Sequence, residues 1–191
     1  MAKKAWIWLW ATAIAVSVLL GALNLFLGEL NQDEGWYLYA ARMVCQGRFP
    51  YIDFASTQGP VMPFVYALAQ PLVDLMGVAG GRLFTAVLGF AGVICAALLA
   101  ARLARPEGKK LAAFLAFSFA GVNVYQGYFS TIVKTYSLCG LLLVAGFLVL
   151  TYAKGNKGWF AAFVSGILVM LAAGTRISAA VVLPVICLVM F

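Results

Sequence analysis

The sequence has no histidine and only six carboxylates in 191 residues. Without an imidazole, a Ser-His-Asp triad and a His-rich zinc site are both excluded. Charge of either sign is scarce, at 10% of the chain, where a soluble globular domain carries about a quarter. Cysteine is also sparse. Cys95, Cys139 and Cys187 fall inside apolar runs and read as small packing residues, and none of the four pairs as CxxC. Cys45 lies in a polar stretch without an obvious partner.

What the chain does have is apolar length. It is 65% hydrophobic with a mean hydropathy of +1.01. Uncharged runs of about 18 or more residues recur, each able to cross a bilayer core of roughly 30 Å. The expected class is an all-α, polytopic transmembrane helical bundle of about six spans. Residues 5–27, 83–101, 111–133, 135–153, 158–175 and 177–191 are the expected spans, with 28–82 as one long loop. The first run, Ala5–Leu27, is 23 residues long and follows Lys3-Lys4. A signal-peptide core is shorter, about 7–15 residues, so this run reads as a retained span with Trp6, Trp8 and Trp10 at the interface.

The net charge of +7 is scattered between the runs rather than gathered into a patch. It therefore reads as a topology signal, and nucleic acid is not an expected partner. Lys3 and Lys4, then Arg102, Arg105, Lys109 and Lys110, then Lys154 and Lys157 all fall on one face if each run crosses once. The positive-inside rule makes that face, and the N-terminus, cytoplasmic. Val61–Val73 is only 13 residues long and holds Pro63 and Pro71. It suits a surface or re-entrant helix better than a span. The chain stops at Phe191 after about 15 apolar residues, which suggests the N-terminal part of a longer protein.

The loop is unusually rich. A helix is expected over Glu34 to Cys45, with Trp36, Ala40 and Val44 at i, i+4, i+8 and Tyr37 and Ala41 beside them. Gly47-Arg48-Phe49-Pro50 ends it, and Ser56-Thr57-Gln58-Gly59-Pro60 makes a polar turn before the second surface helix. At its start stand Asp33 and Glu34, two of the six acids side by side. Either Asp33 or Asn31 can cap the helix, and Asn31 with Glu34 has capping-box spacing. Alternatively, a carboxylate beside a low-dielectric wall serves as a general base or holds a divalent cation. Asp53 fits a turn cap as well as a positioning role. The spacing Gly77-x-x-x-Gly81 fits close helix packing or a flexible joint.

The stretch DEGWYLYAARMVCQGRFPYIDFASTQGPVMPFVYAL resembles the first outer loop of the GT-C glycosyltransferases that use polyprenyl-phosphate sugars. The likeness is to the branch of the protein O-mannosyltransferases and lipid A aminoarabinose transferases. Asp33, Glu34, Tyr39, Ala41, Arg42, Gly47, Pro50, Tyr51, Asp53, Phe54, Gly59 and Pro60 carry it, and Thr175, Arg176 and Pro184 resemble a later element of that family. One departure is Thr57-Gln58-Gly59-Pro60, where some members have a basic residue before paired prolines. Any phosphate contact from that spot is neutral or comes from elsewhere.

The resemblance implies a GT-C-like module and a hexosyl- or mannosyltransferase-like activity. A sugar passes with inversion from a polyprenyl-phosphate donor to a hydroxyl of a lipid, glycan or protein acceptor. Asp33 is then the catalytic carboxylate, acting directly or with a bound divalent cation (Mg²⁺ or Mn²⁺), and Glu34 supports it. The leaving phosphate needs a cation. The candidates are Arg42, Arg48, Arg82, Lys134 and Arg176, of which Lys134 and Arg176 interrupt apolar sequence, where a charge is costly unless paired. The expected location is a cell membrane, a bacterial inner membrane on this likeness, with the site on the periplasmic side. A transporter or flippase component, or a non-catalytic scaffold, is the alternative. A transporter predicts acids within spans, and none lies there.

Overall fold

The computed structural model describes residues 3–155 and 158–184, and every named element among them is helical. Helix α1 is Lys3–Leu27, α2 Gln32–Cys45, α3 Val61–Ala67, α4 Gln70–Met76 and α5 Val78–Leu103. After a 3-10 turn at Pro106–Gly108 come α6, Lys109–Gly121, α7, Val124–Thr131, α8, Thr135–Leu150, and α9, Gly158–Thr175, followed by a 3-10 turn at Ile177–Val181. Of the expected span over 177–191, residues 185–191, Cys187 among them, lie outside the described residues, as does Lys157.

Three helices, α1, α5 and α9, are each long and apolar enough to cross a membrane. The 25 residues of α1 reach about 37 Å at 1.5 Å per residue. The expected run over 111–133 is divided. Gly121 ends α6, and the Asn123 side chain accepts the Gln126 N–H at 3.2 Å, starting α7. A cap residue inside an apolar run thus starts a new helix, so the run is two helices and not one. Helices α7 and α8 then meet at 105° across Ile132-Val133-Lys134, and counting this bent pair as one span makes four segments among the described residues that are long and apolar enough to cross.

Other boundaries also move. Val61–Val73 is two short helices, and Pro71 stands at the start of the second, where its missing N–H costs nothing. Helix α5 begins at Val78, before the expected loop end, so Arg82 is a helical residue. The joint at Gly77 has φ +62°, a conformation that favours glycine.

Packing runs from α6 through α5 and α8 to α9, while α1 lies against α7 and α6. One core cluster joins the loop to the bundle: Leu38 and Ala41 of α2, Met62 and Tyr66 of α3, Val133 and Leu138. Tyr66 is fully buried, and its hydroxyl meets Thr85 Oγ1 on α5 at 2.8 Å. The buried face of α2 keeps Ala40 and Ala41 of the expected stripe but is turned away from Trp36. Glu34, Leu38 and Ala41 point inward, while Trp36 is 43% exposed beside Tyr39. A charged residue lies on the inward stripe, so apolar spacing alone misplaces it.

Candidate functional site

Asn31 begins α2. Its Oδ1 accepts the Asp33 N–H at 3.1 Å, and Glu34 Oε2 accepts the Asn31 N–H at 3.0 Å, a capping box. Capping therefore falls to Asn31 and Glu34 and leaves the Asp33 carboxylate free.

Adjacent positions on a helix are about 100° apart, and the two acids have opposite surroundings. Glu34 is 1% exposed. Its Oε1 accepts Arg82 Nε at 2.8 Å and the Val133 N–H at 3.0 Å, and its Oε2 accepts Arg82 Nη2 at 2.6 Å. Burial pushes the carboxyl up, but the hydrogen bonds from Arg82, Asn31 and Val133 outweigh it and hold it below the usual carboxylate value. Arg82 also donates to the carbonyls of Asn24, Gly28 and Glu29, gripping the end of α1. Both partners are used up in joining α1, α2, α5 and the α7–α8 break. Both side chains are buried.

Asp33 points outward with a 56% exposed side chain and pairs with Lys134 Nζ at 2.8 Å. Lys134 is the residue before α8. Because the neighbouring Val133 N–H is bound to Glu34, the buried acid fixes where the lysine stands. Arg176 follows the end of α9. It donates to Thr135 Oγ1 at 3.3 Å and to Ser178 Oγ at 3.1 Å, and its guanidinium lies 4.6 Å from the Tyr136 ring centre. Tyr37, one turn after Asp33, completes the group. Burial, then the Asp33 charge, pushes its phenol up, while Lys134 and Arg176 pull the other way. Arg176 has no ion pair among the described residues. Counting Asp33, Lys134 and Arg176, the cluster carries one excess positive charge, which suits an anionic ligand.

The turn before α3 closes over this region. A Cβ on Gly59 would collide with the Gly174 carbonyl, two residues before Arg176, so backbone meets backbone there. Asp53 Oδ2 accepts the Phe49 N–H at 2.7 Å and the Tyr51 hydroxyl donates to the Gln58 carbonyl. These bonds hold a turn in which Tyr51 takes φ +66°, a left-handed conformation costly for a side-chain-bearing residue. Asp53 is thus a turn former in its contacts. Arg42 and Arg48 are exposed and make no ion pair among the described residues.

Among the described residues no group of three or more His, Cys, Asp or Glu side chains could hold a metal ion. Asp33 offers one carboxylate and already faces an ammonium, while Glu34 faces Arg82. The described residues therefore preform no Mg²⁺ or Mn²⁺ cage, and a divalent cation would be held by the one Asp33 carboxylate with water and substrate phosphate.

Sequence reasoning found Asp33, Lys134 and Arg176, since each breaks apolar sequence. It missed Tyr37, Thr135 and Tyr136, which carry no charge to mark them. Comparison of the chain with models of known families, with curated proteins and with solved structures gives no match.

Proposed function

We propose that this helical membrane protein is an inverting glycosyltransferase acting on a polyprenyl-phosphate sugar, with Asp33 as its base. The observation that carries the reading is Asp33 itself. It is an exposed carboxylate 2.8 Å from Lys134, with Arg176 on a neighbouring element. The resemblance of the surrounding loop supplies the reaction class.

The incoming lipid phosphate competes with Asp33 for the Lys134 ammonium. As Lys134 turns to the phosphate, Asp33 loses its partner and takes the proton of the acceptor hydroxyl. The hydroxyl oxygen forms a bond to the anomeric carbon as the bond from that carbon to the phosphate oxygen breaks on the opposite face. The electron pair leaves with the phosphate, which Lys134 and Arg176 neutralise. Glu34 and Arg82 act as positioning residues through Val133.

Membranes carrying the full chain, given labelled polyprenyl-phosphate mannose, are expected to release mannose into an acceptor pool. Asp33→Asn lowers that rate by about 10²–10⁴, the usual weight of a general base. Lys134→Gln lowers it too, with a weaker apparent affinity for donor. Wild-type turnover in Asp33→Asn overturns Asp33 as the base, and absence of transfer by the wild-type chain overturns the glycosyltransferase reading in favour of the transporter or scaffold class.

A further inference from the structure

The end of the bundle away from Asp33 holds a second feature. Helix α1 runs from there to the Arg82 grip, where Arg82 bonds the Asn24 and Gly28 carbonyls, so Lys3 lies about 32–37 Å from that grip. Around Lys3 a groove of about 870 Å³ opens between α1, α5 and α6. Lys3, Lys109 and Lys110 stand in its lining with Trp6, Ile7, Trp10, Ala101 and Ala113. The walls are fixed by aromatic contacts, with Trp6 5.8 Å and Trp10 5.5 Å from Phe114, and Trp10 5.4 Å from Phe117.

The three lysines have no ion pair among the described residues, and Glu107, the nearest acid in sequence, makes none either. Three exposed lysines around one groove give it a positive lining with no counter-charge paired to it among the described residues. Helix α6 also starts without a side-chain cap at Gly108, leaving its first turn positive. We propose that this groove binds one anionic phospholipid. Its phosphate lies among Lys3, Lys109 and Lys110, and one acyl chain lies along Trp6, Ile7 and Trp10. The apolar walls favour a lipid over a soluble anion, because a free phosphate would leave that surface unfilled. Tryptophans at headgroup depth and basic pockets between helices are the elements such sites use.

Tryptophan quenching reads the site directly. The full chain with Trp36→Phe and Trp159→Phe keeps fluorescence only at Trp6, Trp8 and Trp10. In mixed micelles, brominated phosphatidylglycerol is expected to quench it with saturation near one lipid per chain, and brominated phosphatidylcholine at equal mole fraction without saturation. Lys109→Ala with Lys110→Ala weakens the apparent affinity by about 30-fold, at the usual worth of two basic residues near an anionic surface. Lys109→Arg with Lys110→Arg stays within threefold, and Lys154→Ala changes nothing. Equal quenching by both lipids overturns the proposal, as does an unaffected double alanine variant. An equal loss in Lys154→Ala would mean general surface charge, and displacement by inorganic phosphate at about 10 mM a soluble-anion site. Either result also overturns it.

Discussion

Glu34 and Arg82 form a buried ion pair with 1% and 4% exposed side chains. Taking two charges out of water is costly, and removing one partner leaves the other uncompensated, at about 3–5 kcal/mol. Glu34→Gln and Arg82→Met are therefore each expected to lower thermal stability in detergent sharply, and Glu34→Leu with Arg82→Leu less than the sum. Additive losses would show that the two do not act as a pair. The acid response has a definite sign. Glu34 is held below the usual carboxylate value, so its contribution is complete above the unfolded value of about 4.3. It is lost as pH falls through the lower folded value. A melting series from pH 6 down to 3 is expected to drop below about pH 4 in the wild type and to flatten in Glu34→Gln. Neighbouring letters in the sequence could not tell the two acids apart. The partners that sort them lie 48 and 99 positions away, at Arg82 and Val133. Capping-box spacing was readable at Asn31 and Glu34 because both partners sit within one turn.

At the scale of elements, the site is assembled from ends: the start of α2, the break before α8 and the exit of α9. Ends are where a chain changes direction, and their polar groups were visible as interruptions at Lys134 and Arg176. Their meeting was not visible, because it depends on the 105° bend and on close backbone approach at Gly59. That approach gives an asymmetric prediction. A Cβ on Gly59 runs into the backbone of Gly174, which cannot yield without moving α9. A Cβ on Gly174 meets the Val61 side chain at 2.8 Å, which can rotate. Gly59→Ala is expected to lose more thermal stability than Gly174→Ala, by about 1 kcal/mol or more on the usual scale of overpacking. Equal shifts would show that the turn moves freely against α9. The division of 111–133 follows the same logic. Apolar composition marks the run, but a single Asn cap decides where helices begin.

Across the whole molecule, charge and chemistry separate along the helix axes. Asp33, Lys134 and Arg176 meet near the Arg82 grip, whereas Lys3, Arg102, Lys109 and Lys110 gather at the other end of α1 and α5. The basic end is tied by Arg102, whose guanidinium lies 3.9 Å from the Tyr152 ring centre and donates to the Thr151 carbonyl at 3.2 Å. With α1 about 37 Å long and uncharged from Ala5 to Leu27, the two ends are expected on opposite faces of a bilayer, the basic one inside. Cys45 gives a native probe of the first end, being exposed with its thiol 3.4 Å from the Ala67 carbonyl. In a chain with the other three cysteines changed to Ala, a membrane-impermeant maleimide added to intact cells is expected to label Cys45. In a Cys45→Ala chain carrying Glu107→Cys, labelling is expected only after permeabilisation, because Glu107 lies in the turn between α5 and α6. Labelling of both from outside would place the two ends on one face. It would remove the bilayer from between the Asp33 cluster and the lysine groove, and with it the expectation that the cluster meets substrates from the non-cytoplasmic side.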